Sequence, residues 1–263
     1  MKVYSLMENT PSAPEYASEH GLSLYVETQK HKLLFDTGQS DAFAGNAEKL
    51  GVDLSAVDIV VLSHGHYDHG GGLKRFLESN DHAPVYLSRY AFGEYYHGQE
   101  RYIGLDQALK TCGRLIETPD ELVIDDELTL FSCNVMKPVV PIDSAGLTVK
   151  IGDDFLPDTF RHEQYLMIRN EDRRILLSGC SHKGILNIMS WLRPDVLIGG
   201  FHYKDQDVSV GKNAVLDKAA EILKSYDTEY YTCHCTGIEQ YRCLKAAMGE
   251  QLHYLASGQM IEI

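Results

Sequence analysis

Apolar positions fall into short runs separated by polar turns, and the spacing alternates between strand and helix periods. Leu22–Glu27 and Lys32–Phe35 read as two strands of a meander that enters the turn Asp36-Thr37-Gly38. Asp41–Leu50 reads as a helix with Ser40 as cap and Gly51 as stop. Ile59–Leu62 is a continuous apolar run, the signature of a strand buried on both faces. It leads into Ser63-His64-Gly65-His66-Tyr67-Asp68-His69-Gly70, then a helix over Gly72–Ser79 and a strand at Val85–Leu87. Tyr90–Leu105 carries five aromatic residues among polar ones and reads as an aromatic insertion outside the core. Tyr165–Ile168 and Arg174–Leu177 form a hairpin around Asn170-Glu171-Asp172. A helix over Ile185–Trp191, a buried strand Val196–Ile198, an amphipathic helix Ala214–Lys224, a strand Tyr230–Thr232 and a helix Glu239–Met248 complete the chain. Four of the apolar strands end in a polar cluster, at Asp36, His64–His69, Cys180–His182 and His234. Strand ends on a rigid sheet hold side chains in fixed geometry, so these clusters are expected to converge.

No repeat or linker divides the 263 residues, which reads as a single domain over 1–263. No run of about 18 apolar residues is present, and the N-terminus turns acidic before a signal-peptide core could form. With 24 Lys+Arg against 38 Asp+Glu, a net charge of −14 argues against nucleic-acid and anionic-membrane partners. Six scattered cysteines are too few for a disulfide scaffold and point to a reducing cytoplasm.

The twelve histidines carry the chemical signal. In an extended turn, residues two apart project to one side, so His64 and His66 can grip one ion while Asp68 and His69 hold a second. Imidazole and carboxylate donors suit borderline divalent ions: two zinc ions, with iron or manganese as alternatives. The bland reading is a polar loop whose histidines have protein partners.

These residues, with Phe35-Asp36-Thr37-Gly38-Gln39-Ser40 upstream, resemble the metallo-β-lactamase-fold superfamily. The strings Ser178-Gly179-Cys180-Ser181-His182, Gly199-Gly200-Phe201-His202 and Cys233-His234-Cys235-Thr236-Gly237 resemble the branch that includes the archaeal 7,8-dihydropterin-6-methyl-4-(β-D-ribofuranosyl)-aminobenzene-5′-phosphate synthase. The resemblance implies a four-layer αββα sandwich, of α/β (α+β) class, with a dinuclear site at one edge. It implies His64 and His66 on the first ion, and Asp68, His69 and His234 on the second. The superfamily's Gly-His-Thr turn is absent, and His162 lies at about the right distance to replace it. The bridging Asp is absent too; Cys180 stands in its place with His182 two residues on. Cys180 is then a ligand or a buried inert thiol, and His182 reaches a metal or the substrate. Asp36 is expected behind a ligand histidine, fixing its tautomer, or simply as a turn former. His202 is either a general acid or substrate donor, or a strand-end histidine bonded to a carbonyl. His20 reads as a surface histidine before Gly21, with a place toward the pocket as the alternative the resemblance implies; Cys233 and Cys235 read as packing residues and Trp191 as core. The Tyr90–Tyr102 aromatics read as a lid over a flat ring or as half of a homodimer interface.

The expected activity is metal-dependent hydrolysis of a phosphoester or related small anionic substrate, with metal-activated water as nucleophile and Asp68 and His202 as catalytic groups. A pterin-type transferase joining a dihydropterin pyrophosphate to an aryl amine, and a catalytically silent metal sensor, are the alternatives.

Overall fold

The computed structural model describes residues 1–209 and 213–263 and arranges most of the apolar runs in two seven-stranded sheets. The first sheet runs, edge to edge, Met260–Glu262, Lys2–Met7, Ser23–Glu27, Lys32–Phe35, Ile59–Val61, Val85–Ser88, Leu115–Thr118. The second runs Leu252–Tyr254, Glu229–Thr232, Val196–Gly199, Arg173–Ser178, Tyr165–Asn170, Leu128–Phe131, Glu121–Val123. Each sheet is half antiparallel and half parallel, and the parallel halves matter most for the site. Phe35 pairs with Val61 in the first; Ser178 pairs with Gly199, and Gly199 with Thr232, in the second. Parallel register brings the C-terminal ends of these strands to one edge of each sheet. That is why Asp36, His64, Cys180, His202 and His234, spread over some two hundred residues of chain, emerge together.

Three buried clusters define the layers. Val3, Val26, Phe35 and Val61 of the first sheet meet Leu130, Leu166, Leu177 and Ile198 of the second in a shared apolar interior. On the outer face of the first sheet, Phe43 and Ala47 of the helix Ala42–Lys49 and Phe76 of Leu73–Ser79 pack with Leu34 and Val60. On the outer face of the second, Ile188 of Ile185–Leu192, Leu223 of Ala214–Lys224 and Leu244 of Ile238–Met248 pack with Leu176, Leu197 and Tyr230. The order helix, sheet, sheet, helix is the expected αββα sandwich. Truncating a side chain such as Phe35, fully buried between the sheets, costs about 3–5 kcal/mol.

Boundaries follow local chemistry. Ser40 Oγ accepts from the Ala42 amide at 3.2 Å, and Gly51 stops the first helix with φ +71°. The helix expected to start at Gly72 starts at Leu73, preceded by a single turn at Tyr67–Gly70. The Tyr90–Leu105 expectation is corrected. Glu94–His97 and Arg101–Tyr102 are strands of a third, four-stranded sheet completed by Leu147–Ile151 and Asp154–Pro157. Tyr95 is buried there with Ile103, Leu147 and Phe160. The pairing partner lies about fifty residues downstream, so no local spacing reveals it. Trp191 packs at the margin of the core outside the second sheet, half-buried, with its indole N–H donating to the Lys137 carbonyl at 2.9 Å. Among the described residues no helix is long and apolar enough to cross a membrane.

Candidate metal centre

At the joined strand ends the backbone is strained. Asp36, Ser181, His202 and His234 all have φ between 49° and 60°, a conformation that costs a non-glycine residue about 1–3 kcal/mol and persists only where its surroundings enforce it. Three sets of candidate donors result, two of them lining the cleft and a third joining His66 to Asp158 and His162. In the first, ring nitrogens of His64, His66 and His182 lie within 4.8 Å of one another. All three side chains are buried, and His64 Nε2, His66 Nε2 and both nitrogens of His182 have no hydrogen-bond partner in the protein. Three buried imidazoles that face one another without partners are costly by themselves, and a shared cation satisfies all of them.

The second group is Asp68, His69, Cys180 and His234. His69 Nε2 lies 3.1 Å from Cys180 Sγ and 3.2 Å from His234 Nε2. Asp68 Oδ2 lies 3.4 Å from His234 Nε2 and 3.7 Å from His69 Nε2. In a tetrahedral set with metal–nitrogen bonds of about 2.0–2.1 Å, neighbouring donors sit roughly 3.3 Å apart. The observed spacings match.

Three of the rings, those of His64, His69 and His234, are oriented from behind. Asp36 is fully buried; its Oδ1 accepts the Ser63 amide at 2.7 Å, and its Oδ2 accepts Ser63 Oγ at 2.7 Å and His69 Nδ1 at 2.6 Å. Since the Ser63 hydroxyl donates to Asp36, it accepts from His64 Nδ1 at 2.8 Å. The network therefore places a proton on Nδ1 of His64 and of His69 and aims both Nε2 atoms at the donor groups; His69 Nε2 would offer its lone pair once a cation displaces its second proton. Asn9 does the same for His234: its Oδ1 accepts Nδ1–H at 2.7 Å while Glu8 accepts the His234 amide at 3.0 Å. Glu163 accepts the amides of His182 and Lys183 at 2.7 and 3.0 Å and so fixes the turn that carries His182.

Electrostatics fit a cation. Burial, then the neighbouring imidazoles, hold His64 and His182 well below the ordinary histidine range. Burial above all lowers His66 and His234 to about 3, so all four rings keep a free lone pair at neutral pH. Burial pushes Asp68 up, but His69, His20 and His234 outweigh it and hold the carboxyl well below its usual range. Burial likewise opposes charge on His69, yet Asp36 and Asp68 raise it to about 9. Positive charge is thus favoured among the second set of donors. Burial and the adjacent Cys235 push the Cys180 thiol up, and a coordinated cation would ionise it.

The expected residues fall in place unevenly. His64, His66, Asp68, His69, Cys180, His182 and His234 come together in the two groups. His162 reaches the neighbourhood, but its Nδ1 accepts the Gly65 amide at 2.9 Å and its Nε2 donates to Asp158 at 3.0 Å. These contacts brace the His64–His66 turn, and with His66 and Asp158, His162 also forms the third set of candidate donors, while His182 is the third ring of the first group. The His202 ring packs tilted at 54°, its centroid 4.4 Å from that of His182, and lines the cleft. His20 corrects its surface reading: Nε2 lies 3.2 Å from Asp68 Oδ2, and the ring packs 4.9 Å from His234. Cys233 is buried between the sheets, and the Cys235 thiol donates to the Cys180 carbonyl at 3.3 Å. Sequence reasoning missed Ser63, Glu8, Asn9, Asp158 and Glu163. Only Ser63, adjacent to His64, carried a local signal.

The groups open into a cleft of about 540 Å³ whose walls include Tyr67, His97, Arg101 and Lys204. The family model of the metallo-beta-lactamase superfamily matches residues 19–210, well over half of the chain. The chain belongs to the metallo-beta-lactamase superfamily. The donor His234, and Glu8 and Asn9 that hold it, lie outside the matched span. It is 30% identical over 245 residues to the protein MJ0448 of Methanocaldococcus jannaschii, covering 89% of this chain and 90% of that one. It is 25% identical over 299 aligned positions to the 7,8-dihydropterin-6-methyl-4-(beta-D-ribofuranosyl)-aminobenzene-5′-phosphate synthase of the same organism, covering 100% and 96%. Among solved structures it resembles Tm1679, a metal-dependent hydrolase of the beta-lactamase superfamily, with TM-score 0.81 and 27% identity over 100% of this chain and 99% of that one. The Zn(2+)-bound PqqB from Methylobacterium extorquens, at TM-score 0.58 and 14% identity over the whole of both chains, shares the fold.

Proposed function

We propose that this superfamily member is a metal-dependent hydrolase acting on a phosphoester or related small anionic substrate, with two divalent ions, zinc first and iron or manganese as alternatives. The reading is carried by the convergence of the unpartnered buried nitrogens of His64, His66 and His182 beside the Asp68–His69–Cys180–His234 group. The likeness to a metal-dependent hydrolase supports it. His64, His66 and His182 would hold one ion, and Asp68, His69, Cys180 and His234 the other. Ions so held lower the pKa of water from 15.7 toward about 7 and stabilise negative charge developing on the substrate.

The chain's own residues supply the rest. Asp36, through Ser63 and directly, keeps His64 and His69 in the donating tautomer. Asp68 places a negative charge at the mouth of the second group, where it would orient the nucleophile by hydrogen bonding while ligating, steadied by His20 Nε2 3.2 Å away. Arg101 and Lys204 place two cations in the cleft wall beside Asp68 and Asp205 and offer direct contacts to an anionic substrate group. Burial and Lys204 hold His202 below its ordinary range. It is therefore a neutral ring at pH 7, suited to donate a hydrogen bond to the substrate and poorly suited to carry a proton as general acid.

The test is turnover of a phosphodiester and thioester panel by protein loaded with zinc, iron or manganese. Activity lost in Asp68→Ala and His64→Ala is expected; no turnover with any ion contradicts the reading. The full-length likeness to the synthase favours a second reading, group transfer between a dihydropterin pyrophosphate and an aryl amine. Pyrophosphate release only when both compounds are present selects it.

A further inference from the structure

Beside the metal cleft lies a second chamber of about 520 Å³, of opposite character. Ile142, Ile185, Leu186, Phe201, Tyr203 and Val215 form much of its wall. His182 and His202 line both cavities, as do Ala145 and Asp205, so the two are neighbours across a wall one ring pair thick. Its outer side is a long loop, and that loop is tied down. Asn187 is fully buried in an otherwise apolar helix; its Oδ1 accepts the amides of Val139 and Val140 at 2.7 and 2.9 Å, and its Nδ2 donates to the Val140 carbonyl at 3.0 Å. The Trp191 indole holds the Lys137 carbonyl of the same loop. A buried amide spent on three loop hydrogen bonds makes the chamber a preformed space, and preformed apolar space beside a few convergent polar groups is the usual make-up of a small-molecule subsite.

We propose that this chamber is a second subsite of the active cleft and takes an aryl substituent of the substrate, whose anionic reacting group sits against the metal donors. The inference rests on the reading of those donors as a metal site and deepens it: the substrate is an aryl-bearing anionic ester and not a bare small anion. Phe201 and Tyr203 offer faces and edges to a ring, and the aliphatic side chains exclude water around it. His182 and His202 stand where the two parts of such a molecule join.

The test measures binding of non-hydrolysable phosphonates to the full-length protein by calorimetry: methylphosphonate as the anion alone, hexylphosphonate and phenylphosphonate as the same anion with six carbons, and biphenyl-4-ylphosphonate. Burial of a ring's apolar surface predicts roughly tenfold tighter binding of the aryl compounds than of methylphosphonate. Hexylphosphonate has at least as much apolar surface but must freeze several rotatable bonds in a chamber shaped for a flat ring, so it should gain less; a hexyl gain equal to or above the phenyl gain overturns the aryl assignment. Val215 is half exposed at the chamber rim, so Val215→Trp narrows the chamber without loading the core; Ile142→Asn makes another part of the wall polar without adding charge. Both variants should remove the aryl gain and leave methylphosphonate binding unchanged. Equal affinity for methyl and aryl compounds in the unaltered protein, or an aryl gain that survives both variants, overturns the proposal. The metal reading has its own readout. Methylphosphonate bound undiminished by His64→Ala/His66→Ala protein contradicts the donor assignment, whereas the aryl gain reports on the chamber alone.

Discussion

Replacing Asp36 by asparagine exchanges one buried oxygen for an amide nitrogen and leaves volume almost unchanged. Three donors, the Ser63 amide, the Ser63 hydroxyl and His69 Nδ1–H, share two carboxylate oxygens within 2.6–2.7 Å. Asparagine offers a single oxygen, so at least one donor loses its acceptor. If the new amide nitrogen faces Ser63 Oγ and His69 Nδ1, the Ser63 hydroxyl turns to donate to His64, and both rings shift their proton to Nε2. Two metal-facing lone pairs are then blocked by one substitution. Losing a single such supporting partner typically costs 10–100-fold in metal affinity, and since both donor groups are affected here a loss of about 100-fold is expected. The unpaired buried donor adds about 1–3 kcal/mol of lost stability in the metal-free protein. Competition with a fluorescent chelator reads the affinity, and urea unfolding of metal-free protein reads the stability. Ser63→Ala separates the branches: it detaches His64 alone and should weaken one ion by about tenfold. Asp36→Asn protein that binds metal within about threefold of the unaltered chain would refute the tautomer argument.

Other consequences are independent of that network. A Cβ on Gly179 would lie 2.2 Å from Ser63 Oγ and 3.2 Å from His64 Nδ1, so Gly179→Ala should cost about 1–3 kcal/mol by overpacking and release metal more readily in the same chelator assay. Gly45 sits in a helix with nothing within 4 Å of its Cβ position, and Gly45→Ala should raise stability by about 0.5–1 kcal/mol with metal content unchanged. His31 links the sheets through Asp125, 2.6 Å away. Burial pushes His31 down, but Asp125 and Asp58 outweigh it and raise its pKa; burial pushes Asp125 up, but His31 and two backbone amides lower it. The His31 contribution is complete below its unfolded pKa of about 6.5 and fades as pH rises through the folded value; that of Asp125 holds above about 3.9 and fades in acid. The stability gap between the unaltered protein and His31→Asn should therefore be greatest near pH 5.5, at about 1 kcal/mol or less for a partly exposed pair, and shrink by pH 9. A gap that widens toward pH 9 contradicts the assignment.

Most strands and helices were legible because their apolar spacing is local, and Ala214–Lys224 matches residue for residue. The His64–His69 half of the site was legible for the same reason, being a six-residue string on one turn. His234, Cys180 and His182 were readable as strand ends, but their grouping depends on which strands run parallel and register together, which no local pattern states. The supporting residues were not readable. Asn9 reaches His234 across 225 residues and Glu8 reaches the same residue across 226, and neither stands in a motif. His162 shows the converse: its position suggested a ligand, but whether a ring nitrogen is free depends on Gly65 and Asp158, which only the fold brings to it. Tyr95 was misplaced because its strand pairs with Leu147–Ile151, far along the chain. Asn187 did leave a trace, a lone amide in an apolar helix.

Elemental analysis tests the central claim most directly. Protein purified without chelator should carry about two divalent ions per chain, falling to about one in His64→Ala/His66→Ala and in Asp68→Ala/His69→Ala, and to none when all four residues are replaced. A fourfold-substituted, folded protein that keeps its full ion content would contradict the account.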